Sequence, residues 1–327
     1  MCGITGYIDF NKRTNPDIIG KMVQTMLHRG PDDFGAENYD SPFASLGFGQ
    51  ARLSIIDLSA AGHQPMHFQH LSIVFNGEIY NYKEIKIELE NIGHSFVSSS
   101  DTEVILHAFY EWGHQAIHKL IGMFAFCIYD KIKAEITLIR DRAGVKPLYY
   151  YHNNGLFLFG SELKALRQHP SWQSAVDRDA LANLLRYNYI PAPQTIYSGV
   201  YKLRPGYFLE LKSGNNGKWI EQEECWWSLQ EVSQRVSKNI FTGSRADAVD
   251  HLDNLLCDVI KGQSLADVPL GAFLSGGVDS SSIVAVMQAI SDRPVKTFTI
   301  GFESSAYDES SNARSVAEYL GSDHHEW

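Results

Sequence analysis

Short strand-like runs separated by helical periodicity are the feature that most constrains how this chain can fold. Runs rich in aromatic and β-branched residues are candidate strands, and they occupy residues 2–8, 46–56, 71–75, 124–130, 135–140 and 156–159. Apolar residues recur at helical spacing in 18–26 and 85–92, and Ser100 with Glu103 forms a capping box ahead of a third helix. Strands that cluster with helices beside them predict an α+β layered domain, which we assign to residues 2–211.

The pattern changes after residue 211. Residues 212–243 begin with a predicted turn over 213–218, continue as a polar stretch with little periodicity, and are predicted to connect two domains. From 244 to 327 an amphipathic helix precedes two short apolar strands, each followed by a helix. This order predicts the opening of a parallel, doubly wound α/β sheet of the Rossmann-like kind.

Charge and composition exclude several functional classes. The 327 residues carry a formal net charge of −10, so non-specific binding to nucleic acid or to an anionic membrane is not expected. The longest apolar stretch, 120–129, is too short to cross a bilayer, which takes roughly 20 residues. The four cysteines show no metal-ligand or redox CxxC spacing, and the N-terminus has no signal-peptide pattern. We therefore expect a cytoplasmic protein with reduced thiols and no membrane or nucleic-acid partner.

Cys2 follows the initiator methionine directly, which gives it a chemical option that internal cysteines lack. If Met1 is removed, the thiol and the free α-amine belong to one residue. The ordinary pKa of an α-amine is about 7.7–8.0 and that of a thiol about 8.5, so the amine is a usable base for the nucleophile at neutral pH. On position alone, burial in the core is the simpler interpretation, since free cysteine is among the most buried residue types.

Other segments favour a nucleophilic role for Cys2. Arg52 stands at a predicted strand start, where a guanidinium suits bidentate binding of a carboxylate. Asn76 and Gly77 follow a strand, and their side-chain and backbone N–H groups can together form an oxyanion hole. Glu78 and Asp101 can hold an ammonium group. Each of these also has an ordinary structural interpretation, as a surface arginine, a turn or a helix cap.

Eight short blocks occur in one order along the first two-thirds of the chain. They are Cys2-Gly-Ile-Thr-Gly6, His28-Arg-Gly-Pro-Asp32, Arg52-Leu-Ser-Ile-Ile-Asp57, Gly62-His-Gln-Pro65, Asn76-Gly-Glu-Ile-Tyr-Asn81, Gly122-Met-Phe-Ala-Phe126, Arg140-Asp-Arg-Ala-Gly-Val-Lys-Pro-Leu148 and Ser161-Glu-Leu-Lys-Ala165. Together they resemble the class II glutamine amidotransferase domain of the glutamine-hydrolysing asparagine synthetases.

This resemblance implies an N-terminal-nucleophile hydrolase fold, an αββα sandwich of two antiparallel sheets between helical layers. It also implies that Cys2 attacks the side-chain amide of glutamine, forms a thioester, releases ammonia and is regenerated by water. By the same resemblance, Asn76 and Gly77 stabilise the oxyanion, and Arg52 binds the α-carboxylate of glutamine. Glu78 and Asp101 contact its α-amino group. The lining of the site is formed by Leu53, Ser54, Ile55 and Ile56.

A second candidate site is the loop Ser275-Gly-Gly-Val-Asp-Ser280, which lies between a predicted strand and a predicted helix. Backbone N–H groups, two hydroxyls and a helix N-terminus converge there, which is typical of an anion site. The loop lacks the Gly-Lys-Ser/Thr of a Walker A loop. A serine-glycine turn at a helix start is the ordinary interpretation, but the strand before it, the helix after it and the neighbouring glutaminase pattern favour the anion site.

The same loop resembles the pyrophosphate loop of ATP pyrophosphatases, which cleave ATP between the α and β phosphates and leave an adenylated substrate. The resemblance implies a partial ATP-pyrophosphatase domain over 244–327. Asp279 is a candidate Mg²⁺ ligand, because Mg²⁺ takes one or two carboxylates together with phosphate oxygens. The residues that match nucleotide-binding positions are Leu274, Ser275, Gly276, Gly277, Asp279, Ser280 and Ile300.

The two resemblances imply glutamine-dependent amidation in two steps. Glutamine hydrolysis supplies ammonia, and ATP with Mg²⁺ activates an acceptor carboxylate, which is aspartate in the parent family. The acceptor stays open, since the same machinery can amidate another carboxylate, such as a sugar acid of a surface polysaccharide. A phosphoribosyl- or hexosaminetransferase would share the first domain but not the loop over 275–280. A non-catalytic binding or regulatory protein on the same fold and a homodimeric state also stay open.

Two expectations concern the ends of the chain. After residue 244 the sequence supplies two clear strands, and a third begins at 324–327, whereas a parallel sheet needs several strands. We therefore expect a fragment with a whole glutaminase site and only the first wall of an ATP site. We also expect activity to depend on the removal of Met1.

Overall fold

The computed structural model describes residues 1–213, 219–302 and 308–327, which form two compact units. The first unit spans Met1–Gln234 and the second spans Arg235–Trp327. The strands of the first unit are β1 Gly3–Asp9, β2 Asp33–Asp40, β3 Ser45–Arg52, β4 Met66–Phe68, β5 Leu71–Ile79, β6 Gly122–Asp130, β7 Glu135–Arg140, β8 Tyr149–Asn153, β9 Leu156–Gly160, β10 Val200–Lys202, β11 Tyr207–Ser213 and β12 Trp219–Cys225. Its helices are α1 Ile18–Gln24, α2 Tyr82–Asn91, α3 Asp101–Trp112, α4 Ala116–Lys119, α5 Leu163–Leu166 and α6 Arg178–Tyr187, and α7 Leu229–Val236 crosses the boundary between the units.

Two antiparallel sheets organise the first unit. One has the strand order β10-β8-β9-β1-β3-β2 and the other has the order β12-β11-β7-β6-β5-β4. β1 lies between β9 and β3, with Gly3 opposite Ala51. Because β1 and β3 run in opposite directions, the start of β1 and the end of β3 meet at one edge of the sheet. This pairing brings Cys2 beside Arg52.

The core lies between these two sheets. Successive side chains of a strand point to opposite faces, so Ile4 and Ile8 of β1 pack with Val74 of the second sheet, while Tyr7 packs on the other face with Met22 of α1. On the outer face of the second sheet, the rings of Phe109 in α3 and Phe126 in β6 are 5.7 Å apart. Two sheets between helical layers form the αββα sandwich, and each large apolar side chain buried in it contributes about 1.5–3 kcal/mol.

Two boundaries differ from the sequence analysis. Arg52 is the last residue of β3 rather than a strand start, and residues 53–56 leave the sheet. Their apolar side chains suggested a continuing strand, but Leu53 and Ile56 face a cavity instead. Residues 212–243 were assigned to a connection, yet Trp219–Cys225 is a strand paired with β11 and the first unit extends to Gln234. The predicted turn over 213–218 lies outside the described residues, apart from the backbone of Ser213.

The second unit has a parallel sheet, as its sequence pattern predicts. Its elements are α8 Arg245–Gln263, β13 Gly271–Phe273, α9 Val278–Ala289, β14 Lys296–Thr299, α10 Ser310–Leu320 and β15 Asp323–Glu326. The strands lie in chain order, and both pairings are parallel. A small core joins Leu274, Val284 and Ala317. Across the described ranges of both units, none of the helices combines the length and the apolar character that a bilayer crossing requires.

Candidate active site

A cavity of about 220 Å³ opens beside the start of β1 and the end of β3. It collects all but one of the residues that the sequence assigned to glutamine, namely Cys2, Arg52, Leu53, Ile55, Ile56, Asn76, Gly77, Glu78 and Asp101. The exception is Ser54, which lies outside this lining and donates its backbone N–H to Asp32 Oδ2 at 2.8 Å. The predicted site residues therefore converge on one space, although they come from the residue before β1, two strands, a loop and a helix.

Several lining residues were not singled out from the sequence: Met1, Gln50, Gln64, Phe75, Ser100, Thr102, Met123, Val145 and Lys146. Two buried glutamines among them connect the walls. Gln50 Nε2 donates to the Phe75 carbonyl at 2.7 Å, and Gln64 Nε2 donates to Thr102 Oγ1 at 3.1 Å. Gln50 was within reach of the sequence, because it lies two residues before Arg52 on the same face of a strand.

The Cys2 thiol is held by the first residue after β3. Its Sγ lies 3.4 Å from the Leu53 N–H nitrogen and 3.5 Å from the Leu53 carbonyl oxygen, and Arg29 Nε donates to the Cys2 carbonyl at 2.8 Å. Burial raises the pKa of the Cys2 thiol, and the Leu53 N–H and the N-terminal amine partly oppose this effect. Burial also lowers the pKa of that amine, which belongs to Met1 in the full-length chain. A half-buried thiol beside a readily deprotonated amine suits the nucleophile-and-base arrangement.

Asn76 is the most exceptional polar side chain of the cavity. It is 1 % exposed, and neither its Nδ2 nor its Oδ1 has a hydrogen-bond partner among the described residues. Leaving a buried polar group unpaired costs about 1–3 kcal/mol. Its neighbour Gly77 has no room for a side chain, since a Cβ there would lie 2.3 Å from the Met123 carbonyl oxygen. The pair therefore presents unused hydrogen-bonding capacity to whatever enters the cavity.

Two carboxylates face the same space. Asp101 is the first residue of α3, and its Oδ2 accepts the Ile79 N–H at 3.0 Å. Burial raises the pKa of Asp101 to about 7, and the nearby Glu78 charge adds to the rise. Burial also raises the pKa of Glu78, whereas Lys146 and the N-terminal amine lower it. Paired carboxylates of this kind suit an ammonium ligand, which would relieve their repulsion.

Arg52 supplies a fixed positive charge at the cavity wall. The residue is 6 % exposed, and its guanidinium donates to the carbonyls of Ser59 at 3.1 Å and Ile56 at 3.3 Å, and to that of Asp57. Gly62 makes this packing possible, because a Cβ there would lie 1.9 Å from Arg52 Nη2. The carbonyls of its own loop thus fix the plane of the guanidinium.

The glycine loop of the second unit has the geometry of an anion site. Gly276 adopts φ +76°, and a Cβ there would lie 2.7 Å from the Asn312 Cβ. Ser280 Oγ accepts the Ser275 N–H at 3.3 Å. Gly277 caps α9 and has no side chain to offer to the N–H groups of the first turn, which suits an anion there. Leu274, just past β13, is buried, whereas Ile300, just past β14, is exposed.

These residues also fit Mg²⁺ that arrives with a nucleotide. Asp279 lies exposed in the first turn of α9. Within the described ranges, no three His, Cys, Asp or Glu side chains are grouped as a metal site. A single carboxylate is enough for Mg²⁺ when phosphate oxygens and water complete the octahedron. Asp279 is therefore suited to a Mg²⁺ ion that enters bound to the phosphates of a nucleotide, rather than to a metal ion held by the protein alone.

Comparison with protein-family models shows which family the chain belongs to. Residues 1–227 match the family model of the glutamine amidotransferase domain. The chain belongs to this family. Residues 251–327 match the asparagine synthase model, so the C-terminal part continues into a synthetase domain. The predicted glutamine amidotransferase of the asparagine synthetase type is thereby confirmed at the level of its domains.

Curated relatives of this amidotransferase include two named as glutamine-hydrolysing asparagine synthetases and one named as an amidase. A putative glutamine-hydrolysing asparagine synthetase 2 of Methanocaldococcus jannaschii is 36% identical over 100% of this chain and 64% of its own length. The glutamine-hydrolysing asparagine synthetase 3 of Bacillus subtilis is 34% identical over 93% of this chain and 48% of its own. Amidase chry2 of Gibberella zeae is 30% identical over 99% of this chain and 50% of its own. The chain thus spans about half to two-thirds of the length of these relatives.

A solved structure shows the same fold. The allosteric regulatory enzyme of purine biosynthesis matches 99% of this amidotransferase chain and 65% of its own chain, with a TM-score of 0.51 and 17% identity. At that identity the likeness concerns the fold alone. It agrees with the sandwich described above, and the predicted N-terminal-nucleophile fold with a partial α/β domain after it is confirmed.

Proposed function

We propose that this chain hydrolyses glutamine for an ATP-dependent amidation, with aspartate as the first candidate acceptor. The observation that carries the proposal is the convergence of the Cys2 thiol, the unpartnered Asn76 amide and the carboxylates of Glu78 and Asp101 on one cavity. A free amino acid with a side-chain amide offers a complementary group to each of them. The match to an asparagine synthase domain supports the acceptor half.

Glutamine hydrolysis follows from this arrangement. After removal of Met1, the α-amine of Cys2 takes the thiol proton while Sγ attacks the side-chain amide carbon. The carbonyl oxygen becomes an oxyanion that Asn76 Nδ2 and the Gly77 backbone can stabilise. The carbon–nitrogen bond then breaks, the proton passes to the leaving nitrogen, and ammonia departs from a thioester. Water cleaves the thioester to give glutamate and the free thiol.

The ends of the substrate have separate partners. The α-carboxylate is assigned to the Arg52 guanidinium, since a fixed planar cation suits a carboxylate. The α-ammonium is assigned to Glu78 and Asp101, whose negative charges share one side of the cavity. Leu53 and Ile56 supply apolar lining for the methylene groups between these ends.

The second unit is proposed to bind ATP with Mg²⁺. The loop over 275–280 would receive phosphate oxygens at the N-terminus of α9, and Asp279 would hold the cation. ATP supplies the activation of an acceptor carboxylate that ammonia then attacks. Asparagine synthetases among the relatives favour aspartate, while a relative named as an amidase keeps another carboxylate acceptor open. The proposed setting is the cytoplasm.

Ammonia release from L-glutamine tests this proposal against a non-catalytic binding protein. We expect Cys2→Ala to lower the rate at least about 1,000-fold, as loss of a nucleophile does. The exposed Cys225 is a matched control, and Cys225→Ala should stay within about twofold of the parent. In protein of the full length of the relatives, Cys2→Ala should keep synthesis from added ammonia. Equal hydrolysis by Cys2→Ala and the parent would contradict the proposal, and mass spectrometry of the N-terminus must show that Met1 is gone.

A further inference from the structure

Lys146 is a buried cation whose place in the site is not explained by the roles assigned above. The residue is 4 % exposed and lines the glutamine cavity. Its ammonium makes no hydrogen bond or ion pair with any residue in the described part of the chain. A buried charge without a partner is costly, so the location of this ammonium needs a functional reason.

The backbone around Lys146 fixes the side chain in place. Its N–H donates to Asp141 Oδ2 at 3.0 Å, and its carbonyl accepts from Arg140 Nε at 2.8 Å. Asp141 also accepts the N–H groups of Val145 at 2.9 Å and Phe124 at 3.2 Å. Since this carboxylate is already saturated by backbone donors, it does not serve as the hydrogen-bonding counterion of Lys146.

Of the two carboxylates in the cavity lining, Glu78 is the one whose charge acts on Lys146. It lies on β5, lines the same cavity and makes no side-chain hydrogen bond or ion pair with the described residues. Burial raises the pKa of Glu78, and the Lys146 ammonium is the strongest charge that lowers it. Burial likewise lowers the pKa of Lys146, and Glu78 is the strongest charge that opposes this. Each group is therefore the principal counter-charge of the other.

The remaining charges around the pair do not replace this interaction. Cys2, Arg29 and Asp141 surround Lys146, and the N-terminal amine faces both members of the pair. Glu78 also acts on Asp101 and Tyr80, and it raises the pKa of both. Protonation of Glu78 would remove one of the two negative charges that are proposed to bind the α-ammonium group of the substrate.

We propose that Lys146 is a positioning residue of the glutamine site: its fixed ammonium keeps the Glu78 carboxylate negatively charged and thereby ready for the α-ammonium of the substrate. The substrate part of this statement rests on the proposed function. The electrostatic part concerns only two side chains that face one cavity. Lys146 therefore acts on substrate binding rather than on the nucleophile.

The direct test is the titration of Glu78 by ¹³C NMR of glutamate-labelled protein, with its signal assigned through Glu78→Gln. Lys146→Met should move the midpoint upward by about one pH unit or more, the size of effect that a nearby opposite charge has. Lys146→Arg should restore it. Lys133 is exposed and ion-paired at the surface, so Lys133→Met is the matched control and should leave the midpoint in place. An unchanged midpoint in folded Lys146→Met overturns the proposal.

Kinetics supply a second readout. Lys146→Met should move the pH below which KM for glutamine rises upward by about one pH unit, in step with the midpoint of Glu78, with kcat within about threefold. The rate at which iodoacetamide alkylates Cys2 in Lys146→Met should stay within about twofold of the rate in the parent. Slower alkylation with an unchanged KM would assign Lys146 to the thiol and overturn the proposal. If the parent releases no ammonia, the proposed function fails, while the titration of Glu78 still decides the role of Lys146.

Discussion

At the scale of single residues, Asp101 shows a conflict between stability and binding. It is 5 % exposed at the start of α3, and burial raises its pKa to about 7. In the unfolded chain an aspartate loses its proton near pH 4. Between these values the native state holds a proton that the unfolded state has released, so the native state loses stability as the pH rises through this window. Above pH 7 the carboxylate is charged, which is the form that an ammonium ligand needs.

The Asp101→Asn variant separates these two effects. Its melting temperature should exceed that of the parent by about 5 °C at pH 8 and equal it near pH 4, because the neutral amide carries no cost of ionisation. KM for glutamine should rise at the same time. Asp40 is an exposed partner of Lys12, so Asp40→Asn is the control and should change neither quantity. A gain in melting temperature that is the same at both pH values would contradict this account.

At the scale of elements, β5 carries much of the site in consecutive residues. Asn76 and Glu78 point to one face of the strand, and Gly77 points to the other. β6 pairs with β5 in the same sheet, and a Cβ on Gly77 would lie 2.8 Å from the Phe124 Cα of β6. This close packing at Gly77 holds the stretch of backbone that carries both polar side chains.

A methyl group at position 77 should disturb this pairing. We expect Gly77→Ala to lower the free energy of unfolding by about 1–3 kcal/mol, as overpacking does, and to lower kcat at least about tenfold through displacement of Asn76. Gly20 in α1 has open space where a Cβ would stand, so Gly20→Ala should keep full activity and gain slightly in stability. Urea unfolding and ammonia release measure both variants. Unchanged activity in Gly77→Ala would refute the role given to this contact.

Two of the strands that the sequence patterns predicted, β6 and β7, lie inside a sheet and are almost wholly buried. β6 is apolar over all but its last residue, and β7 alternates polar and apolar residues over its first four. β2 and β12 were missed because they are edge strands with exposed polar side chains, and their composition is that of a loop. The prediction for β3 has the opposite error. It extended the strand to Ile56, because the apolar side chains after Arg52, which line a cavity, were taken for a continuing strand.

At the scale of the whole molecule, the blocks of sequence predicted which residues meet but not how they interact. Cys2, Asn76 and Asp101 were assigned from their order along the chain, and all three line one cavity. The electrostatic interaction between Lys146 and Glu78 was not visible, because it depends on the approach of a loop and a strand that are far apart in sequence. Counter-charges of this kind are a property of the tertiary structure.

The extent of the first unit gives a prediction about truncation. A protein of residues 1–234 should melt cooperatively and release ammonia at the rate of the full chain, because it contains the whole first unit. A protein of residues 1–211 lacks β12, which covers β11, and Trp226, which is 9 % exposed and stacks on Phe124. It should aggregate or melt at least about 10 °C lower. Circular dichroism of both proteins measures this, and equal melting temperatures would show that β12 is dispensable.

The central position of β1 has a consequence during synthesis. The proposed nucleophile leaves the ribosome among the first residues, but the strand that follows it is flanked on both sides only after β9 has been made, which ends at Gly160. At about 5–20 residues per second, a nascent chain needs roughly 8–30 s to reach that length. In the folded protein Met1 is still 58 % exposed. An aminopeptidase can therefore reach the first residue both before and after β1 is enclosed, so maturation of the proposed catalytic amine does not have to precede folding.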